Sequence, residues 1–231
     1  SGVPVYFEAL GSERDGAFAQ YCCVSADQLF DVSESPLTDI EIGAMPCAYG
    51  TALNLLTRSQ VNDGDRVLVT GASGGVGLAT VQLARQKGAR VTAIAAAAKA
   101  DAVLTAGAQS VLDRDASLPK EDFTVVIDVV GGNQFGECLD ALCPGGRLAT
   151  SGAIAGPMAE VDLRTLYLKD LTVFGCTYQS REVFRALVSL INTGSLRPLV
   201  SKVYPLNDIA QAQTDFMAKR YPGKLVLRPF F

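Results

Sequence analysis

Apolar residues fall into short continuous runs separated by stretches at helical spacing, and the alternation of these two patterns outlines the fold. Residues 66–70 (RVLVT) are rich in β-branched residues around the apolar run Val67-Leu68-Val69, as expected of a strand covered on both faces. From Gly75 the apolar positions Val76, Leu78, Val81 and Leu83 change to helical spacing. The change recurs downstream: strands are predicted at 90–95, 110–112, 123–129, 147–151 and 171–178, and helices at 133–142 and 180–192. Strands alternating with helices at this period predict a parallel, doubly wound α/β sheet that binds ligand at the carboxyl ends of its strands. Helices at 38–44 and 48–56, on either side of Pro46, precede it; a strand at 201–205, a helix at 207–218 and a strand at 224–227 follow. Before residue 45 the pattern is weaker. Short alternating segments at 3–7, 16–22 and 29–32 read as strands, too few for a core of their own.

The first change of period falls on a glycine-rich turn, TGASGGVG at 70–77. A pyrophosphate needs backbone N–H groups at a helix N-terminus, and side chains there would block its approach. Gly71, Ser73, Gly74 and Gly75 therefore suit a dinucleotide, the other reading being a tight strand-to-helix turn without ligand. The spacing G-x-x-G-G-x-G resembles the T-G-x-x-x-G-x-G of short-chain dehydrogenases. In Gly74-Gly75-Val76-Gly77 it equally resembles the zinc-independent branch of medium-chain dehydrogenases, the quinone oxidoreductase and enoyl reductase group. The short-chain family carries its turn near the N-terminus and works with a Tyr-x-x-x-Lys pair. None of Tyr6, Tyr21, Tyr49, Tyr167, Tyr178, Tyr204 and Tyr221 has a lysine four residues on. The chain therefore resembles the medium-chain dehydrogenase/reductase superfamily, which implies a Rossmann sheet.

The resemblance extends over most of the chain. GAFAQY at 16–21 with Val24, Ala26 and Leu29 is similar to the last part of the family's GroES-like catalytic domain, and GKLVL at 223–227 to its C-terminal return. This implies a remnant of a β-rich catalytic domain at 1–45, a dinucleotide-binding domain at 46–195 and a segment at 196–231 that rejoins the remnant. The first part of the family's catalytic domain has no counterpart, so the chain is expected to hold cofactor and to turn over little by itself. AYGTA at 48–52 is similar to the segment whose threonine lies against the nicotinamide, which implies that role for Thr51; a plain threonine in a helical first turn is the other reading. The family's cofactor also passes the main chain at Val76, Val129, Val130, Gly152, Phe174 and Cys176.

The end of the second strand bears on the cofactor. An NAD site places a carboxylate there, about 20 residues past the first glycine, to hold the ribose hydroxyls. This chain has Ala95, Ala96, Ala97 and Ala98, followed by Lys99, which matches a lysine that the family uses on the 2′-phosphate of NADP. Arg114, at the position of a residue flanking the adenosine, is either a second phosphate contact or a surface arginine. NADP is the expected cofactor.

The 231 residues are 48% hydrophobic with a formal charge of −4, without a basic stretch for nucleic acid, a membrane-length apolar run or a secretory signal. A cytoplasmic location is expected. Histidine is absent and the six cysteines lack C-x-x-C spacing; Cys47 stands four residues before Thr51, where zinc alcohol dehydrogenases keep a ligand, but a zinc site needs at least three protein ligands. No metal is expected. Transfer of a hydride to an enone or quinone needs no dedicated acid, since water can supply the proton, and this agrees with the lack of histidine. An NADPH-dependent reductase of such small molecules is the expected function, the alternatives being a zinc-type alcohol dehydrogenase-like enzyme and a non-catalytic nucleotide-binding relative. Strand 171–178 is apolar on both faces, lacks lysine and proline, and falls at the sheet margin, so a homodimer joined through it is expected.

Overall fold

The computed structural model describes residues 8–229. In chain order the elements are α1 (Asp39–Ala44), α2 (Pro46–Arg58), β1 (Arg66–Val69), α3 (Gly75–Gln86), β2 (Arg90–Ile94), α4 (Ala100–Thr105), β3 (Ser110–Leu112) and β4 (Phe123–Asp128). They continue with α5 (Gln134–Asp140), β5 (Leu142–Thr150), α6 (Leu163–Leu168), β6 (Thr172–Gly175), α7 (Arg181–Thr193), β7 (Val200–Pro205), α8 (Ile209–Met217) and β8 (Lys224–Arg228). The packing divides into two compact units, one of residues 45–187 and one of residues 1–44 with 188–231.

The first unit holds a six-stranded sheet in the order β3-β2-β1-β4-β5-β6, and every neighbouring pair is parallel. Parallel strands must be covered on both faces, and the sequence provides for it: Val67, Leu68 and Val69 of β1 and Val125, Val126 and Ile127 of β4 have no exposed surface. Leu68, Ile94, Val126 and Leu148 share one core cluster with Cys138 and Leu139 of α5. The alternate positions face the other way, where α3 packs on β1 and β2 and α2 packs on α3 and β5. Crossing from β1 to β4 reverses the winding direction, and such a reversal opens a crevice above the carboxyl ends of the strands.

The second unit holds the parallel pair β7–β8, with α8 and α1 packed on it. Its N-terminal part differs from expectation. Segments 16–22 and 29–32 are not strands; they are irregular, with one 3-10 turn at Ala26–Gln28. Phe18, Tyr21 and Leu29 are exposed, so alternation there does not mark a buried face, and a strand without a partner leaves its N–H and C=O groups to water. The expected strand at 3–7 lies outside the described residues. Smaller departures fall in the sheet unit: the strand expected at 171–178 spans only Thr172–Gly175, and α4 and α6 have no counterpart among the expected helices. The helix expected at 133–142 ends at Asp140, and Leu142 already belongs to β5, whose start carries a shift of register against β4; Pro46 is the first residue of α2, where its missing N–H costs nothing. Among the described residues no helix is long and apolar enough to cross a membrane.

Candidate functional site

The carboxyl edge of the sheet is laced together by bonds just beyond the strands. Thr70 N donates to Ile127 O, Ala72 N to Ile94 O, Ser151 N to Asp128 O and Cys176 N to Thr150 O, at 2.9–3.1 Å. At its centre lies the glycine turn. Gly71 has a φ of +57°, a left-handed conformation that favours glycine, and a Cβ there would meet Val130 Cγ2 at 2.9 Å and Val129 Cγ2 at 3.1 Å. A Cβ at Gly152 would meet Val129 O at 2.8 Å. Four of the expected cofactor residues, Gly71, Val129, Val130 and Gly152, are thus in close approach with no room for larger residues at the glycines.

Helix α3 starts directly from this turn. Its N-cap is Gly74, which offers no side-chain acceptor to the first-turn N–H groups, and a Cβ at Gly74 would meet only Gly71 O at an ordinary 3.4 Å. Ser73 is buried, while Gly75 and Val76 open the helix half-exposed. Gly77 does a different job: a Cβ there would collide with Gly71 O and come within 2.5 Å of Ala72 Cα, so this glycine lets the helix sit against its own turn.

The loop after β4 is held by a buried carboxylate that the sequence reading did not single out. Asp128, 2% exposed, accepts from Thr70 Oγ1 at 2.7 Å, Val130 N at 3.1 Å, Gly131 N at 3.1 Å and Thr150 Oγ1 at 3.3 Å. Thr70 Oγ1 in turn accepts from Val129 N at 3.0 Å. One charge therefore ties the ends of β1, β4 and β5 and aims the 129–131 backbone. Its signal in the sequence is the single acid closing the apolar run FTVVID.

Toward one end of the rim, Ala96 follows β2, and Lys99 closes the 3-10 turn Ala97–Lys99 with its N–H on Ala96 O at 2.8 Å. No carboxylate occupies residues 95–99. Arg114 is exposed just past β3, where its carbonyl accepts from Gln134 Nε2 at 3.4 Å. Toward the other end, the chain beyond β6 is strapped to α2: Arg58 Nη1 donates to Gly175 O at 2.7 Å and Asn54 Nδ2 to Tyr178 O at 3.0 Å. Thr51 Oγ1 accepts from Gln179 Nε2 at 3.4 Å, which brings Thr51 to the same strap as Phe174 and Cys176. Burial pushes the Cys176 thiol above its ordinary pKa against the opposing influence of Arg58, so it is a neutral packing group. Burial likewise raises the Tyr49 phenol, whose hydroxyl donates to Gln82 Oε1 at 2.5 Å. Cys47 is exposed in the first turn of α2, and among the described residues no three His, Cys, Asp or Glu side chains gather as a metal would require.

A family model described as zinc-binding dehydrogenase matches residues 75–193. The chain belongs to the medium-chain dehydrogenase/reductase superfamily. Within that superfamily it is 32% identical over 222 residues to the acryloyl-coenzyme A reductase of Metallosphaera sedula, covering 93% of this chain and 66% of that protein. It is 31% identical over 235 residues to the quinone oxidoreductase of Sus scrofa, covering 94% and 70%. Among solved structures, one described as a putative alcohol dehydrogenase from Sinorhizobium meliloti 1021 superposes with a TM-score of 0.92 at 45% identity, covering 98% of this chain and 65% of that one. The 2-octenoyl-CoA carboxylase reductase CinF, in complex with NADP and 2-octenoyl-CoA, gives 0.87 at 28% identity, covering 95% and 56%. The chain thus spans about two thirds of the length of its first relatives.

Proposed function

We propose that this chain forms the cofactor site of an NADPH-dependent reductase acting on an electron-poor double bond, in an enone or enoyl thioester, or on a quinone. The observation that carries the reading is the close approach of Gly71, Val129, Val130 and Gly152 beside the side-chain-free start of α3. A Cβ at Gly71 or Gly152 would strike the Val129–Val130 segment, while Gly74 faces open space apart from Gly71 O, and a helix N-terminus without a capping side chain suits the anionic pyrophosphate of a dinucleotide. When bound, the reduced nicotinamide supplies the hydride for the reduction.

Each remaining part falls to this chain's own residues. The turn 71–75 binds pyrophosphate through main-chain N–H groups, and Asp128 holds the 129–131 backbone against it. Lys99, with only alanines before it, attracts a 2′-phosphate, whereas the carboxylate of an NAD site would repel one. Phe174, Cys176 and Thr51 bound the nicotinamide end. The names of the relatives support the substrate class, two being enoyl-type CoA enzymes and one a quinone oxidoreductase. The lack of histidine agrees with it, because protonation of the reduced product can come from water. The zinc alcohol dehydrogenase reading rests on Cys47 and on structural neighbours described as alcohol dehydrogenases, and elemental analysis separates it. The test of the main reading is NADPH consumption by the protein with acryloyl-CoA and with a simple benzoquinone. Oxidation with either is expected once the chain is joined to a complete catalytic domain, and little from these 231 residues alone; turnover of a simple alcohol with NADP in place of both substrates would contradict the reading.

A further inference from the structure

Three glycines clear a path for the chain beyond β5. A Cβ at Gly131 would meet Ala153 Cα at 3.1 Å and Gly156 O at 3.2 Å, one at Gly132 would meet Ala155 Cβ at 3.0 Å, and one at Gly136, inside α5, would meet Glu160 O at 2.8 Å. Gly131 and Gly132 also hold φ values of +65° and +66°, where larger residues are strained. Main-chain bonds fix the same contact: Ala155 N donates to Val130 O at 2.9 Å, Gly132 N to Gly156 O at 3.1 Å and Gly156 N to Ala153 O at 3.0 Å. Val161 then packs against the core cluster that includes Cys138 and Leu139 of α5. Residues 153–160 therefore form a seated loop, and it leaves Ile154 and Met158 68% and 80% exposed.

We propose that Ile154 and Met158 determine specificity by contacting the hydrocarbon chain of an enoyl thioester substrate. The proposal rests on the reductase reading above and deepens it, choosing an acyl chain over a flat quinone ring. Loops fixed at the carboxyl ends of parallel strands carry ligand contacts, and this one leaves β5 directly after Gly152, which bounds the cofactor cradle. The neighbouring strand end, that of β6, leads to Phe174 and Cys176 at one strand spacing, about 4.8 Å. From Ala153 to Ala159 the loop has no charged, hydroxyl or amide side chain, so it offers a partner to hydrocarbon alone. A β-branched isoleucine on a fixed backbone makes a firm wall, and the unbranched methionine adapts to the length of the chain.

The test uses the chain joined to a complete catalytic domain and loaded with NADP, and measures the affinities of octanoyl-CoA and propanoyl-CoA by calorimetry. The octanoyl thioester is expected to bind more tightly. Ile154→Ser and, independently, Met158→Ser should each weaken octanoyl-CoA by roughly fourfold, the scale of one methylene buried against apolar surface. Both should leave propanoyl-CoA and NADPH unchanged, and Ile154→Val should keep most of the octanoyl affinity. The two positions are exposed, so the melting temperature should stay level. An equal loss for the two thioesters, or no loss for either, would overturn the assignment. So would a change of oligomeric state in sedimentation without loss of octanoyl-CoA, which would place these side chains between copies of the chain. Binding of NADPH without either thioester would overturn the thioester reading of the substrate, and failure to bind NADPH would overturn the cofactor reading; the proposal falls with either.

Discussion

Asp128 shows how much a single residue can decide. A buried carboxylate is costly unless its oxygens are met by donors, and here four groups from three strand ends meet them. Asp128→Ala would leave those donors without an acceptor, and a cost of about 3–5 kcal/mol is expected in urea unfolding. Asp128→Asn keeps the shape but turns an N–H pair toward other donors. It should cost about 1–3 kcal/mol and, by loosening the 129–131 backbone, weaken dinucleotide binding by roughly tenfold in a fluorescence titration. Unchanged stability and binding in Asp128→Asn would show that the carboxylate does not aim that loop. Such a role is nearly silent in the sequence, where Asp128 reads only as the polar end of an apolar run; its partners, Thr70 and Thr150, are brought to it by the sheet.

The turn between β1 and α3 separates two uses of glycine that look alike in the sequence. Gly77 faces backbone, Gly71 O and Ala72 Cα, which cannot move aside, whereas Gly74 faces open space apart from Gly71 O. Gly77→Ala should therefore cost about 1–3 kcal/mol in chemical unfolding through overpacking. Gly74→Ala should change stability by less than about 1 kcal/mol, yet weaken dinucleotide binding, because its methyl group would stand where pyrophosphate approaches. The reverse pattern would contradict the assignment of the cradle.

Elements were legible where burial repeats the same period. β1, α3, β2 and β4 stand where their apolar runs place them, because a parallel strand covered on both faces has no polar alternative. Segments 16–22 and 29–32 have strand-like alternation but lie on an exposed stretch, where periodicity carries no burial. The start of β5 was hidden because Pro144, Gly145 and Gly146 read as a turn, and here they sit in the irregular first part of a strand. In the site, the glycine turn announced itself by spacing, while the seating of residues 153–160 over Gly131, Gly132 and Gly136 joins separate segments and has no local signature.

At the scale of the whole molecule, β6 is an outer strand, hydrogen-bonded to β5 on one side, with Val173 42% exposed and Tyr167 and Leu168 exposed just before it. An edge without lysine or proline invites a second strand, and a two-fold copy of β6 satisfies it without leaving a new open edge. A homodimer joined there is our proposal for the assembly. Sedimentation at tens of micromolar should show a dimer, and Val173→Lys, on an exposed position that leaves the core intact, should convert it to monomer. A monomeric unsubstituted protein would contradict this, and a dimer indifferent to the substitution would place the interface elsewhere.

The most direct test of the central claim is titration of the protein with NADPH and with NADH, before and after Lys99→Ala. A charge-assisted contact with phosphate contributes about 1.5–3 kcal/mol, so NADPH should bind more tightly than NADH by roughly tenfold or more. Lys99→Ala should remove most of that difference and leave NADH nearly unchanged. Equal affinity of the unsubstituted protein for the two cofactors, or no affinity for either, would contradict the account.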